Sequence, residues 1–558
     1  MNFAIDGKPT SLERDITRCV GLLSALSPVG AVVAVATEDE RAMAVLALAT
    51  LRAGRTLLPL DPRSPGPEVV PALSLAQLAF LDPAPASRWG YPGPTLRIEP
   101  PPTGSLFARM LGRSKAPTMS FPAILRDHPE TPDQPPDPQS VAVYLRTSGT
   151  SGGPKLVPWT RAALAAQLPV LCRGLQVDAS SRVLNLLPAF HIDGLVMGIY
   201  LCAHAGAALL RLPRSQALDV RAAADLIFRE RGTHLVAVPA VLGLLLRLGE
   251  DIAAVFGEPS FRAFVSTAAP LPDPTWRRIQ QGSGRPVVNV YGLTETGNLF
   301  FAGPDPQTGR IGTVGRSDGC ETRLIDEAGD ACPPGQPGEL LLRGPTVVQA
   351  FQDGTPATTP DGWFATGDLA IQDEDGLWRI LGRVRGLLSV GGLKVAPMEV
   401  EQALLEIDGV SDARVFAVPD PTWGERVVAE LVAEGLDEAR ILAALRERLS
   451  EHKIPRELRW TGGIQRGPTG KVALLTPQGH TTDDRVLALA ARVFRTSASS
   501  LSQASRIERV PGWDSIGHLD LIAALEKEFG VVLGLQDMMD IRTLADAARV
   551  VELRGPVP

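Results

Sequence analysis

The chain has 558 residues, 44% hydrophobic and 21% charged, a globular mix that excludes a disordered tail or a fibrous repeat. At roughly 150 residues per domain the length implies three or four folding units. Lys plus Arg total 55 against 62 Asp plus Glu, and a net charge of −7 argues against nucleic acid as a partner, because phosphate binding needs a concentrated positive field.

In chain order, residues 31–36 read as a buried strand followed by a helical run over 41–52. This strand-then-helix grammar recurs at 235–238 before 239–247, and further strands are predicted at 264–267 and 287–290. Together they imply an α/β fold with a largely parallel sheet and its chemistry at the carboxyl ends of the strands. Residues 83–104 and 128–140 are rich in proline and poor in apolar side chains, and read as surface loops. The longest apolar stretch, 194–210, is broken by His204 and short for a bilayer, so a buried core helix is expected there. From about residue 382 the pattern changes to a small α+β unit: a helix over 398–406, strands at 413–418 and 427–433, and a helix over 437–450. After residue 479 three amphipathic segments, 483–495, 515–529 and 543–553, predict an all-helical bundle. The five cysteines are scattered without a CxxC pair, and residues 1–10 carry no secretory signal, so a soluble cytoplasmic protein without a membrane partner is expected.

The strongest local motif is Tyr144-Leu-Arg-Thr-Ser-Gly-Thr-Ser-Gly-Gly-Pro-Lys155, a strand end that runs into a hydroxyl- and glycine-rich loop closed by a lysine. Small residues let successive backbone N–H groups converge on an anion, and Ser148, Thr150 and Ser151 add hydroxyl donors. It is not a Walker A loop, since Pro154 stands where that motif needs glycine and Leu156 where it needs Ser or Thr. The run ending Pro468-Thr-Gly-Lys-Val472 fails the same test, with Gln465 at the first glycine position.

Five further segments follow that loop in order: Val290-Tyr-Gly-Leu-Thr-Glu-Thr296, Trp363-Phe-Ala-Thr-Gly-Asp368, Leu381-Gly-Arg383, Val390-Gly-Gly-Leu-Lys-Val-Ala-Pro-Met-Glu-Val400 and Pro468-Thr-Gly-Lys471. The array resembles the adenylate-forming superfamily of acyl-CoA synthetases, nonribosomal-peptide adenylation domains and luciferases, over roughly residues 1–475. The resemblance implies a large adenylation core with mostly parallel sheets over 1–382 and a small mobile α+β subdomain over 383–478. It implies that Thr147, Ser148, Gly149, Thr150, Ser151, Gly152 and Lys155, with Ala268, Ala269 and Pro270, border ATP. It further implies that Tyr291 beside Gly292 packs on adenine, Thr294 bonds the α-phosphate and Glu295 holds Mg²⁺ through a hard carboxylate oxygen. Asp368 is implied to accept the ribose hydroxyls, Arg383 to reinforce the nucleotide, and Lys471 to be the catalytic lysine over the reacting carboxylate and α-phosphate. Gly391, Gly392 and Leu393 would border a thiol channel once the subdomain swings. The hinge position, usually Asp or Lys in relatives, is Arg385 here, and Thr267 stands where glycine commonly borders the acyl tunnel.

In the tail, Asp514-Ser515-Ile516 at a helix start resembles the attachment motif of acyl and peptidyl carrier domains, which makes 482–558 a 4′-phosphopantetheine-dependent carrier modified at Ser515. A hydroxyl at an exposed helix N-terminus is accessible, and its phosphodiester would meet the positive end of the helix. The same serine could instead simply cap the helix. The expected activity is ATP-dependent activation of a small carboxylic acid and loading onto the carrier. The expected partners are a phosphopantetheinyl transferase and an acyl-accepting enzyme acting in trans. Alternatives are an amino-acid-loading module, a ligase releasing free acyl-CoA, and a catalytically dead carrier scaffold. Phe190 is followed by His191 rather than the aspartate of amino-acid-activating relatives, which favours a non-amino acid. His191 is read as closing the pocket or guiding the thiol, and Asp193 as a residue that could recover an amine contact.

Overall fold

The computed structural model describes the chain except residues 1, 6–7, 92–94, 100–118, 122–124, 126–127, 131–135, 148–154, 214–218, 250, 304, 306–307, 334, 391–392, 421–423, 434, 465–481, 495, 497–500, 503–504, 507–509, 511–512, 514–517, 519–520, 523, 527–528, 530–532, 534–536, 539–540 and 555–558. It divides into two compact units, Met1–Val472 and Ala473–Pro558.

The first unit is built on two large sheets. A seven-stranded sheet has parallel strands Leu78–Leu81, Val32–Ala36, Thr56–Pro59 and Val141–Arg146 side by side, closed by the antiparallel Leu156–Thr160. A nine-stranded sheet sets Val287–Leu293, Ala263–Ser266, His234–Ala237, Arg182–Asn185 and Ala208–Arg211 in parallel, and Gly297–Ala302 returns antiparallel beside Val287–Leu293. Strands buried on both faces explain the near-continuous apolar runs of the sequence. Helix Glu40–Arg52 starts where Asp39 accepts hydrogen bonds from the Arg41 and Ala42 amides, which satisfies two of the free N–H groups of its first turn.

Two expectations need correction. Residues 83–104 are not all loop: Pro83–Trp89 is a helix and Thr95–Glu99 a strand paired with Leu78–Leu81. Proline is tolerated in a first helical turn because its missing N–H would have no partner there, and the buried Trp89 anchors the helix. The apolar stretch 194–210 is not one helix. It runs through a π-helical segment Leu195–Tyr200 and a helix Leu201–Ala205, ends where Gly206 takes φ +70°, and becomes strand Ala208–Arg211.

A four-stranded antiparallel sheet, Glu321–Ile325, Gly338–Arg343, Phe364–Gln372 and Trp378–Arg383, follows the large sheets. After it, Val384–Gly386 forms a short 3₁₀ turn, and the small α+β part begins with Leu388–Val390 and Leu393–Val395. Its long hairpin Val410–Asp420 and Gly424–Ala433 packs under helices Pro397–Leu405 and Glu438–Arg446 around a core that includes Val400, Leu404, Val427, Ile441 and Leu445. In the second unit, helices Thr482–Val493 and Leu544–Arg554 share a core with Trp513, Leu521 and Leu525. Among the described residues no helix is long and apolar enough to cross a membrane.

Candidate functional site

Tyr291, Thr267 and His191 follow or end strands at the carboxyl end of the nine-stranded sheet, where parallel strands stop and loops begin. Strand Val287–Leu293 ends in Tyr291 and Gly292. A Cβ at Gly292 would lie 2.1 Å from the Gly297 carbonyl oxygen, so only glycine fits there. The turn that follows carries Thr294 and Glu295 and is fixed through its backbone. Trp159 Nε1 donates to the Thr294 oxygen at 2.8 Å, the Val348 amide to Glu295 at 2.9 Å and Thr346 Oγ1 to Thr296 at 2.7 Å. Gln167 Nε2 holds the Asn298 carbonyl at 2.8 Å. Because carbonyls take the bracing, the loop is positioned without using the Thr294 hydroxyl for it.

Asp368 lies on strand Phe364–Gln372 directly opposite Arg383, and its Oδ1 is 2.9 Å from Arg383 Nε. Tyr291 donates its hydroxyl to Asp368 Oδ2 at 2.6 Å. Burial and the facing Asp368 carboxylate push the Tyr291 phenol well above its ordinary range, so it stays a donor. The expected adenine-packing tyrosine thus also orients the carboxylate expected to meet the ribose.

At the neighbouring strand end, Thr267 is 1% exposed and Ala268 takes φ +70°, a left-handed conformation rare outside glycine. Such strain collects at functional sites. Ala269 and Pro270 follow in the same bend. Thr147 closes the glycine-rich loop, its amide donating to Lys155 at 3.0 Å, and Lys155 Nζ sits 4.3 Å over the Phe351 ring. Ser148, Gly149, Thr150, Ser151 and Gly152 lie outside the described residues.

His191 and Asp193 stand on the loop after strand Arg182–Asn185. Asp193 is 2% exposed and accepts from Asn298 Nδ2 at 2.8 Å, and its Oδ2 is 3.4 Å from His191 Nδ1. That enclosed carboxylate is held by Asn298 and faces His191. Behind it, Asn185 donates to the Asp193 carbonyl at 2.9 Å, and Arg211 donates to the Asn185 carbonyl at 2.6 Å and pairs with Glu40 at 2.7 Å.

Arg385 lies within the 3₁₀ turn Val384–Gly386, between the four-stranded sheet and the α+β part, where a pivot is expected. Leu393 is 53% exposed, while Gly391, Gly392, Lys471 and Ser515 lie outside the described residues.

Sequence reasoning missed Trp159, Asn298, Thr346 and Arg211. A usable signal existed for two of them: Asn298 near the start of Gly297–Ala302 and Arg211 at the end of Ala208–Arg211 are polar residues in otherwise apolar buried strands, and a polar residue there needs a partner. Trp159 and Thr346 belong to no motif and touch the loop only through the fold.

Residues 20–351 match the model of the AMP-binding enzyme family, residues 399–471 that of the AMP-binding enzyme C-terminal domain, and residues 484–551 that of the phosphopantetheine attachment site. Sulfoacetate–CoA ligase of Cupriavidus necator is 35% identical over 65% of this chain and 71% of its own length. Indoleacetate–CoA ligase of Aromatoleum aromaticum is 30% identical over 76% of this chain and 84% of its own. The ATP-bound crystal structure of MatB from Rhodopseudomonas palustris superposes with a TM-score of 0.73 at 27% identity, covering 84% of this chain and 93% of that one.

Proposed function

The chain belongs to the AMP-binding enzyme family, and from that premise we propose that it activates a small carboxylic acid as the acyl-adenylate and loads it onto its own carrier domain. It is an AMP-forming ligase that uses ATP and Mg²⁺, and its carrier domain takes a 4′-phosphopantetheine arm on a serine from a phosphopantetheinyl transferase. One observation carries the step from activation to self-loading. The carrier region, 484–551, follows the AMP-binding C-terminal region, 399–471, in the same chain, so the thiol is covalently tethered to the activating enzyme.

In this reading Tyr291, Asp368 and Arg383 hold the nucleoside and Thr294 donates to the α-phosphate. Glu295 would hold Mg²⁺ with one carboxylate oxygen, which suits an ion that takes one or two carboxylates plus substrate phosphates. Lys471 offsets the charge that builds as the substrate carboxylate attacks phosphorus and pyrophosphate leaves. Rotation about Arg385 then brings Gly391, Gly392 and Leu393 to the thiol path. The arm on Ser515 would supply the thiol that takes the acyl group. The Phe190-His191 pair and the enclosed Asp193 support a substrate without an α-amine, because a buried ammonium lacking a carboxylate partner costs several kcal/mol. The acyl group then passes to an acceptor enzyme in trans, as in natural-product assembly. A second reading, release as free acyl-CoA, is favoured by the CoA-ligase names of both relatives.

The test is intact-mass analysis of the phosphopantetheinylated chain given ATP and acids matched except for an α-amino group. The chain gains the acyl mass of the non-amino acid, and Ser515→Ala gains none while keeping ATP–pyrophosphate exchange. Acyl-CoA in solution without acyl mass on the chain would establish the second reading.

A further inference from the structure

Three residues after Ser515 the carrier unit holds a histidine whose two ring nitrogens are both engaged. His518 Nδ1 accepts from Trp513 Nε1 at 3.1 Å, and His518 Nε2 lies 2.9 Å from the Met538 carbonyl oxygen. We propose that His518 is a positioning residue for the modification of Ser515: its imidazole ties the chain on both sides of the serine to the segment around Met538, in the arrangement that a phosphopantetheinyl transferase takes up. The proposal rests on the reading of Ser515 as the attachment residue and adds what presents it.

Chemistry fixes the direction of both bonds. An indole N–H only donates and a carbonyl only accepts, so Nδ1 is the acceptor, Nε2 carries the hydrogen, and the ring is neutral. The planes of the two rings differ by 11°, which suits a bond lying in the imidazole plane. Trp513 is fully buried and stacks at 5.2 Å on Phe494, just past helix Thr482–Val493, so the tie is anchored in the core of the unit. A buried indole N–H needs one acceptor, and Nδ1 alone meets that need. The second nitrogen is spent on Met538, 20 residues on, which the indole does not require. Another polar tie crosses the same stretch of chain, the Leu533 amide donating to Glu526 Oε1 at 2.8 Å. Apolar packing around Leu521, Leu525 and Leu544 is non-directional, whereas these bonds fix where each segment stands. Trp513 lies two residues before Ser515 and His518 three after it, so one ring holds both flanks of the serine to a distant segment.

In the modification, the Ser515 hydroxyl oxygen bonds to the phosphorus of coenzyme A that bears the pantetheine. The bond from that phosphorus to the oxygen of the neighbouring phosphate breaks, adenosine bisphosphate leaves with the electron pair, and the hydroxyl proton passes to solvent. His518 makes and breaks no bond. Its contribution precedes the encounter: flanks already in place need not be ordered at the moment of reaction.

The experiment follows pantetheine mass on the full-length chain given coenzyme A and a phosphopantetheinyl transferase, well below the melting temperature of each variant. His518→Leu removes both bonds at similar bulk and should lower kcat/KM for modification about tenfold, the larger part in KM for the chain, while ATP–pyrophosphate exchange keeps its wild-type rate. His518→Gln offers one acceptor and one donor and should recover most of that loss. Trp513→Phe keeps the stack but removes the indole donor; it should slow modification and add little to His518→Leu, since the two act as a unit. Should His518→Leu not fold, a slow Trp513→Phe beside a fast His518→Gln makes the same case. Wild-type kcat/KM in His518→Leu, no recovery in His518→Gln, additive losses, or losses that track the folded fraction would each overturn the proposal. If wild type gains no pantetheine mass, or Ser515→Ala still gains it, the attachment reading itself fails, a result distinct from these.

Discussion

The carboxyl edges of the two large sheets treat buried charge in opposite ways. On the nine-stranded sheet, Asp193 and Arg211 are both almost fully enclosed, yet each charged group meets several polar partners. On the seven-stranded sheet, Asp82 at the end of Leu78–Leu81 is 7% exposed, and its Oδ2 accepts from the Glu38 amide at 2.7 Å while its Oδ1 has no partner among the described residues. Burial, with Glu38 and Asp39 nearby, pushes its carboxyl up to about 6. The first edge uses polar groups to hold a loop geometry; the second bears a carboxylate that weakens the fold at neutral pH. The contrast teaches that burial of a charge alone does not mark a working site. Completion of its hydrogen bonds decides whether it holds the local geometry or strains it.

Three substitutions bear on that contrast, beginning with the largest expected effect. Arg211→Met leaves Glu40 buried without its cation and two carbonyls without donors, and should cost about 3–5 kcal/mol in denaturant unfolding. Adding Glu40→Leu should recover much of it; no recovery would mean that Arg211 acts through packing rather than charge. Trp159→Phe keeps the ring but removes the N–H that holds the Thr294 carbonyl, and should lower kcat/KM for pyrophosphate exchange about tenfold, near 1.4 kcal/mol, with little change in melting. A parallel drop in melting temperature would make the contact structural instead. Asp82→Asn should stabilise by about 1–2 kcal/mol at pH 7.5. Because its folded value is raised, the native state keeps a proton that the unfolded chain releases, so stability is lost as pH rises from about 4 through about 6. The gain from Asp82→Asn should therefore shrink several-fold by pH 4, and a gain independent of pH would remove the carboxylate from the account.

The small unit repeats the first pattern in a helical setting. Trp513 stacks on Phe494 at 5.2 Å and donates its indole N–H to His518 Nδ1 at 3.1 Å, while His518 Nε2 meets the Met538 carbonyl at 2.9 Å. Helical spacing announced the segments that make this core, but the polar lock inside it joins residues 20 apart in sequence and left no periodic trace.

By itself the sequence determined the α/β class, the order of the parts and the motif residues, because apolar periodicity and short motifs are local properties of the chain. It also located Tyr291, Asp368 and Arg383; the register between Phe364–Gln372 and Trp378–Arg383 sets Asp368 against Arg383, and Tyr291 reaches Asp368 from the nine-stranded sheet. Where the reading failed, the cause was local as well: proline at 83–89 looked like loop although a first turn accepts it, and the apolar run 194–210 hid a glycine stop. Only the tertiary structure decided what surrounds Asp193, since an aspartate two residues past a histidine reads equally as a substrate contact or a structural group. Its partner is Asn298, 105 residues away, on a strand of the same sheet separated from Arg182–Asn185 by three others. Hydrogen bonds of that kind depend on how distant segments are brought together, and chain-local pattern carries no record of that.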